Sequence, residues 1–307
     1  VQSGRLRIDG APNSSSSVLV AAGATFEKHV ASSGTTESMP GVITGDGNFE
    51  KSGPGTLEFS GPKAYKGKTI VADGVLRLGS STASPSPSPS PAPSPSTNTL
   101  DSSTSVDVTS GATLELASNE SVASIEGAGT INLNTNRLTV SPSVDSTSSF
   151  AGSISGTGGL RLNGSGRLLL SGENTFTGDT QISGGVLQVS NPSALSGTSE
   201  VILEGGTLQA STDLILNSGQ NIRVGDSVAG VLNVDSATTT TVNGVISDLT
   251  SQQSGSLVKQ GEGTLILNGE NTYSGTTTVS AGKLDPGSLD GFGDGEIRVD
   301  GGTILFS

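Results

Sequence analysis

The side chains that most often perform covalent catalysis are scarce in this chain. It contains one histidine, His29, and no cysteine. A serine–histidine–carboxylate triad needs an imidazole as its base, so any such site would have to use His29. The tripeptide Gly225-Asp226-Ser227 is similar to the nucleophile sequence of secreted serine proteases, but Val228-Ala229-Gly230 follows it. A glycine turn is therefore the better interpretation of the tripeptide, and we expect His29 to be a packed or exposed residue without a catalytic role.

Carboxylates offer the other possible chemistry, because carbohydrate lyases and glycosidases use clustered Asp and Glu, sometimes with Ca²⁺. The densest cluster lies in a glycine-rich stretch and consists of Asp285, Asp290, Asp294, Glu296 and Asp300. Its spacing is neither that of an EF-hand nor that of the nonapeptide calcium repeat. Asp-Gly is a common turn dipeptide, so turn residues are favoured over an opportunistic Ca²⁺ site or an acid–base pair. The sequence thus predicts no catalytic, cofactor-binding or metal-ligating residue, and no enzyme activity.

The overall charge excludes several classes of partner. The formal net charge is −13, and no stretch combines clustered Lys and Arg with aromatics. Nucleic acid and anionic membrane surfaces would repel such a chain. No apolar run reaches the roughly 18 residues of a membrane span, so no membrane insertion is expected within this segment.

Three segments of the chain repeat one another in register. They cover residues 49–76, 160–187 and 257–284. Each holds a pair of apolar residues in alternation with outward residues: Leu57 and Phe59, Leu168 and Leu170, Leu265 and Leu267. This alternation is typical of a strand with one buried face. An aromatic follows in each segment, at Tyr65, Phe176 or Tyr273, and we expect it to point inward at equivalent positions.

Glycine turns separate these short strands, and no segment has helical periodicity over ten residues. Glycine at the corners is expected to supply positive φ where a Cβ would clash. Aromatics make up only 3% of the chain, which suits thin aliphatic layers better than a wide globular core. Connections this short cannot hold crossover helices between parallel strands. The sequence therefore predicts an all-β solenoid with coils of roughly 20 to 25 residues.

A Ser-Pro tract at residues 84–96 interrupts the pattern, since alternating proline favours extended polyproline II over a strand ladder. The predicted organisation is a solenoid segment at 1–83, the tract at 84–96, and a solenoid segment that continues through 97–307. An insertion into one solenoid turn is favoured over an interdomain linker. Glycosylation is an open possibility for the tract and for the sequons at Asn13, Asn119 and Asn163.

The repeats resemble a known family. The sequences GSGRLLLSGENTFTG at 164–178 and GEGTLILNGENTYSG at 261–275 look like the passenger-associated transport repeat of bacterial autotransporter passenger domains. This resemblance implies a right-handed parallel β-helix, export and display outside the cell, and it implies no activity. The first repeat departs from the pattern at Pro62–Lys66, so its outer turn is expected to be modified.

The function predicted from these observations is a structural or adhesive stalk that is displayed on a surface. Its expected partners are cell-surface glycans or further copies of itself. The Ser-Pro tract also resembles tracts in surface and fibre proteins of large DNA viruses of green algae, so a virion fibre is one alternative. A polysaccharide-degrading enzyme is a second alternative, which a cleft of convergent carboxylates and aromatics would favour. Strand-like sequence at both ends suggests a piece of a longer repeat array.

Overall fold

The computed structural model describes residues 1–10, 17–79, 99–225, 228–252, 254–287 and 289–306. In this part of the chain the paired strands run parallel, and the helical content is one 3₁₀ turn at Leu289–Phe292. Consecutive strands pair with strands one coil away, so the fold is the predicted all-β solenoid. Its handedness stays a prediction. The described residues form two compact units, Val1–Thr139 with Gly152–Thr157 (unit 1) and Val140–Ala151 with Gly158–Ser307 (unit 2).

The strands are short and follow one another at tight corners. In chain order up to residue 140 they are β1 (Arg5–Asp9), β2 (Val18–Leu19), β3 (Thr25–His29), β4 (Thr36–Met39), β5 (Ile43–Gly45), β6 (Asn48–Ser52), β7 (Thr56–Phe59), β8 (Ala64–Tyr65), β9 (Thr69–Val71), β10 (Val75–Leu78), β11 (Ser105–Val108), β12 (Thr113–Leu116), β13 (Glu120–Val122), β14 (Ser124–Gly127), β15 (Thr130–Asn132) and β16 (Leu138–Val140). After residue 140 they are β17 (Thr147–Phe150), β18 (Ser153–Ser155), β19 (Leu160–Leu162), β20 (Arg167–Leu170), β21 (Thr180–Ile182), β22 (Val186–Val189), β23 (Glu200–Leu203), β24 (Thr207–Ala210), β25 (Leu214–Leu216), β26 (Asn221–Val224), β27 (Gly230–Val234), β28 (Thr239–Val242), β29 (Ile246–Asp248), β30 (Leu257–Gln260), β31 (Thr264–Leu267), β32 (Thr277–Val279), β33 (Lys283–Asp285), β34 (Ile297–Val299) and β35 (Thr303–Ile304).

Each unit stacks these strands into parallel sheets. In unit 1, sheet 1A has the order β1-β3-β6-β9-β11-β14, sheet 1B the order β4-β7-β10-β12-β15-β18, and sheet 1C the order β2-β5-β8. In unit 2, sheet 2A has the order β17-β20-β22-β24-β27-β30-β32-β34, sheet 2B the order β19-β21-β23-β26-β29, and sheet 2C the order β25-β28-β31-β33-β35. Neighbouring strands in such sheets lie about 4.8 Å apart.

Apolar side chains alternate into the interior as the sequence predicts. The strand Arg167–Leu170 buries Leu168 and Leu170 and leaves Arg167 and Leu169 half-exposed. In unit 1 the interior also holds an aromatic group, in which the Phe49 ring centroid lies 5.8 Å from that of Phe26, 4.8 Å from that of Phe59 and 6.0 Å from that of Tyr65. Rings at these separations and tilts add to the stabilisation from their buried area.

Each of the three repeats stacks on itself. Strand β6 pairs with β9 and β7 with β10, β19 with β21 and β20 with β22, and β30 with β32 and β31 with β33. The register pairs are Phe49↔Thr69 and Leu57↔Leu76, Leu160↔Thr180 and Leu168↔Leu187, Leu257↔Thr277 and Leu265↔Leu284. The repeat at 160–187 begins on sheet 2B, whereas the repeat at 257–284 begins on sheet 2A. A repeat is therefore a self-stacking unit of more than one coil, and it is not tied to one face of unit 2.

The predicted inward aromatics are confirmed. Tyr65 and Tyr273 are fully buried, and Phe176 is 1% exposed. The hydroxyl groups of the two tyrosines hydrogen-bond the side chains of Thr69 and Thr277. Burial raises the pKa of both phenols, to about 12 for Tyr273. These residues are neutral packing groups with one internal hydrogen bond each.

Glycine is required at the corners for two different reasons, a positive φ and the close approach of the backbone of a neighbouring coil. Gly185 has a positive φ of 61°, and a Cβ there would lie 2.2 Å from the carbonyl oxygen of Gly166 in the coil below. Gly166 itself lacks positive φ, contrary to the expectation for all the corners. It is required because a Cβ would lie 2.2 Å from the Ser143 carbonyl oxygen. Close stacking of one corner on the next, rather than φ alone, excludes side chains at this second glycine.

The predicted tract at 84–96 lies outside the described residues, so its boundaries stay a prediction. The residues on either side of it, up to 79 and from 99, belong to unit 1. Leu100 pairs with Lys63 in an isolated parallel bridge. Within the part of the chain that the structure describes, no helix has the length and apolar character needed to cross a membrane.

Candidate functional site

His29 lies on the outer face of sheet 1A beside a serine and a carboxylate. Its Nδ1 is 3.0 Å from Ser52 Oγ, and that hydroxyl donates to Glu27 Oε1 at 2.6 Å. The order of the groups differs from that of a triad, in which the imidazole lies between serine and carboxylate. Because the serine proton is directed at Glu27, the contact orients Ser52 without making His29 its base.

Arg5 and Arg7 tie the same cluster to the edge strand β1, with Arg7 Nη1 lying 3.8 Å from Glu27 Oε1. Arg5 bonds Glu27 at 3.0 Å and Glu50 at 2.8 Å. Burial alone would raise the pKa of Glu27, but hydrogen bonds from Ser52 and Arg5 and the guanidinium charges outweigh it, and the net pKa is lowered. A carboxylate with a lowered pKa is a weak base at neutral pH. The cluster is therefore suited to holding three strands in register.

The acidic stretch near the end of unit 2 does not converge in the described residues. Asp285 accepts a hydrogen bond from the Gly287 amide at 3.0 Å, and Asp300 pairs with Arg298 at 2.6 Å. Asp294 and Glu296 are exposed. Among the described residues, no three His, Cys, Asp or Glu side chains are grouped so that they could hold a metal ion. Asp226 and Ser227 lie outside the described residues.

Buried lysines bind the corner carbonyls from inside the solenoid, and the sequence interpretation missed them. Lys51 Nζ donates to the carbonyl oxygens of Gly53 at 2.6 Å and Asp73 at 2.8 Å, on two successive coils. Lys259 makes the equivalent bonds to Gly261 at 2.7 Å and Ala281 at 3.2 Å. Burial lowers the pKa of both lysines to about 8. A lysine just before Gly-x-Gly in two of three repeats was the available signal.

The first repeat also buries a lysine where the other two bury an asparagine. Asn174 and Asn271 each donate from Nδ2 to a carbonyl oxygen of the next coil, at 2.9 and 2.6 Å. At the corresponding position Lys63 Nζ donates to the Gly61 carbonyl oxygen at 2.8 Å and lies 4.7 Å from the Phe59 ring centroid. Burial lowers its pKa to about 8. The deviation at 62–66 thus changes an interior hydrogen bond.

Glu120 is a buried carboxyl group next to the chain that returns after the tract. It is 1% exposed, and its Oε1 accepts from the Leu100 amide at 3.0 Å. Among the described residues, its buried Oε2 has no hydrogen-bond partner. Burial raises its pKa to about 7, although hydrogen bonds from Leu100 and Thr99 act in the opposite direction. The carboxyl group fastens residues 99–100 to the neighbouring coil.

A shallow groove of about 270 Å³ opens on a corner of unit 2 beside sheet 2A. Arg167 lines it, together with Asp145, Ser146, Thr147, Ser165, Gly166 and Val186. Arg167 Nη1 donates to Gln188 Oε1 at 2.6 Å and to Gln209 Oε1 at 2.7 Å. Gln209 Nε2 donates in turn to Asp235 at 2.8 Å. Side-chain amides thus hold the Arg167 guanidinium in place beside the groove.

Two of the three sequons are described, and both are exposed. Asn119 Oδ1 accepts from the Arg137 amide at 2.8 Å, and Asn163 follows strand β19 at a corner. Asn13 lies outside the described residues. The exposure of Asn119 and Asn163 is compatible with glycan attachment, which stays untested.

These features define a repeat-built parallel β-solenoid whose polar clusters mostly hold coils together. Three segments, 49–78, 160–189 and 257–285, match the family model of the passenger-associated-transport-repeat. The resemblance inferred from the sequence is thereby confirmed. The chain is also similar to the Adhesin BmaC autotransporter of Brucella suis biovar 1 (strain 1330), with 37% identity over 142 residues. That alignment covers 46% of this chain and 4% of the length of the adhesin. No solved structure gives a significant match.

Proposed function

We propose that this chain is a solenoid segment of a surface-displayed adhesin and presents its flanks to glycans on cells or cell walls. The observation that carries the proposal is the set of three self-stacking transport repeats. They make a scaffold of parallel sheets. Glycines allow its corners to stack, and buried lysine and asparagine side chains form hydrogen bonds with its corner carbonyls. The outward side chains then remain available for contact. Similarity to a named autotransporter adhesin supports the adhesive role.

The composition of the exposed faces supports polar rather than apolar recognition. On sheet 2A one outward column contains Gln188, Gln209 and Asn233, which the strand register places on successive coils. The Gln188 and Gln209 amides each use one oxygen lone pair and one N–H within the protein, and each keeps a second of both. At a spacing of about 4.8 Å these groups can form hydrogen bonds with the repeated hydroxyls of a polysaccharide. A net charge of −13 disfavours polyanionic partners. Neutral glycans therefore fit these faces best.

The proposal is tested by adhesion of beads coated with the whole 307-residue chain to cultured mammalian cells. We expect adhesion several-fold above that of albumin-coated beads, and a fall towards that background after glycosidases remove surface glycans. The matched control is the same chain unfolded before coating. Adhesion equal to that of albumin would contradict the adhesive role, and adhesion that survives glycan removal would contradict the glycan target.

The proposal assigns no turnover to the chain. The decisive residue is Ser52, because its contacts with His29 and Glu27 are the nearest approach to a catalytic constellation. Incubation with polysaccharides, esters and peptides, with or without Ca²⁺, is expected to release no product. Turnover abolished by Ser52→Ala, or by replacing a single carboxylate with its amide, would reverse this assignment.

A further inference from the structure

We propose that the groove centred on Arg167 is a binding subsite for one neutral sugar unit with vicinal hydroxyls. This inference rests on the proposed glycan-binding function and locates it on unit 2. The groove is slightly smaller than the roughly 300–1,000 Å³ of pockets for drug-sized ligands, at about 270 Å³. A single ring at the end or edge of a glycan suits that size.

Arg167 departs from the pattern of the repeats. The other two repeats place Thr56 and Thr264 at this outward position directly after the Gly-x-Gly corner. The register aligns Arg167 with Thr147 on one side and Val186 on the other. Since the fold tolerates threonine here, the solenoid does not need the guanidinium. A cation at the repeat that borders this groove therefore points to a ligand.

The guanidinium is fixed before any ligand arrives. Its Nη1 is held by the carbonyl oxygens of Gln188 and Gln209, whose amide nitrogens point to the acceptors Ser211 and Asp235. Arg167 lies at the oxygen end of this ladder of amides and Asp235 at its nitrogen end, so both amides take the same orientation. In the described residues the remaining guanidinium N–H groups have no protein acceptor. They can donate to a ligand with little loss of side-chain entropy.

The other walls of the groove complement the donor. Asp145 lies at the tip of the preceding corner with φ of 61°, and among the described residues no hydrogen bond or ion pair occupies its carboxylate. Ser146, Thr147 and Ser165 also line the groove, and Val186 supplies an apolar surface. Fixed donors, a free acceptor, hydroxyls and a small apolar surface are the set that a hydroxylated ring requires.

Charge selects a neutral ligand. The groove holds one guanidinium and one carboxylate, so its own charge is balanced. Unit 2 as a whole is acidic, which disfavours approach of a polyanion. A carboxylated or sulfated glycan would gain one contact at Arg167 but would meet repulsion from Asp145. The predicted affinity is therefore insensitive to salt, unlike that of a polyanion.

The test is calorimetric titration of the whole chain with neutral oligosaccharides of glucose, galactose and mannose. Arg167→Gln and Asp145→Asn each remove one polar partner, and asparagine tolerates the left-handed backbone at position 145. We expect each variant to bind at least tenfold more weakly. The matched control is Arg161→Gln, which removes a half-exposed arginine of unit 2 whose Nε contacts Ser183 at 3.3 Å. It should bind within twofold of the parent.

Each other outcome overturns the subsite. It is wrong if the parent binds none of these sugars, or if either groove variant binds like the parent. The bead assay separates this failure from that of the wider proposal. Glycan-dependent adhesion that Arg167→Gln leaves unchanged would place the contact elsewhere on the chain. Circular dichroism of each variant checks that the loss does not come from unfolding.

Discussion

Replacing Glu120 with glutamine should remove a loss of stability that unit 1 undergoes as the pH rises. The wild-type carboxyl group is 1% exposed, and its pKa is raised from 4.5 to about 7, chiefly by burial. Glutamine keeps the oxygen that accepts from the Leu100 amide at 3.0 Å. It also places a donor where a protonated carboxyl would place its hydroxyl. The variant therefore imitates the protonated side chain at every pH.

The size of the effect follows from linkage between protonation and folding. Between pH 4.5 and about 7 the native carboxyl group keeps its proton while the unfolded one has lost it. The unfolded state then binds fewer protons, so the free energy of unfolding falls by about 1.4 kcal/mol per pH unit. Over this range the wild type loses about 3 kcal/mol. The contribution of the protonated Glu120 side chain to the free energy of unfolding is fully present below pH 4.5. It is lost as pH rises through the folded pKa.

The assay is urea unfolding of both proteins from pH 4 to pH 8, followed by circular dichroism, with amide hydrogen exchange at Leu100 as a local measurement. The two should be equally stable near pH 4, and the variant should be more stable by about 3 kcal/mol at pH 8. The control is Glu173→Gln, which removes an exposed carboxylate and should leave a profile parallel to that of the wild type. Parallel wild-type and Glu120→Gln profiles, or a variant that is less stable at pH 8, would refute the reasoning.

Three further changes test the corners, the interior and the tract. Gly185→Ala should lower the free energy of unfolding by about 2 kcal/mol or more in urea, since its backbone has positive φ and its Cβ would meet a carbonyl oxygen at 2.2 Å. Gly219→Ala, with open space around it, should not; equal effects would contradict the stacking argument. Tyr65→Phe should cost about 1–3 kcal/mol because it leaves a buried threonine hydroxyl unpaired, and Tyr273→Phe about 1 kcal/mol because its threonine keeps a carbonyl partner; the reverse order in urea unfolding would be inconsistent with these contacts. Deletion of 84–96 should leave the midpoint of thermal unfolding within a few degrees, and loss of cooperative unfolding would mean that the tract is packed.

The local periodicity was enough to predict the strands and their buried sides. Leu168 and Leu170 alternate with outward residues in a way that only a half-buried strand explains. The aromatics Phe176 and Tyr273 follow at the same distance in their repeats, so their common inward position was also predictable. Both inferences depend on residues close together in sequence. They required no knowledge of which coil lies on which.

The polar clusters depend on register between coils and were therefore missed. His29 meets Ser52 because β3 stacks on β6 with Thr25 opposite Asn48. The sequences FEKH at 26–29 and FEKS at 49–52 carry that alignment, but the first lies outside the three repeats, so the repeat pattern alone does not pair them. Glu120 meets Leu100 only after an intervening stretch whose coil length the sequence does not specify. The neighbours of a polar residue in such a chain cannot be predicted until its coil has been aligned with the adjacent coils.

Differences among the repeats are a better guide to function than their similarities. The shared positions are occupied for structural reasons: inward leucines fill the core, glycines allow corners to stack, and Lys51 and Lys259 bind corner carbonyls. A ligand cannot reach side chains that are buried in the interior. The residues free to vary are the outward ones, and Arg167, where the other repeats have threonine, is one that lines a groove. In a solenoid of this kind, the outward position at which one repeat breaks the pattern is where a binding contact should be sought first.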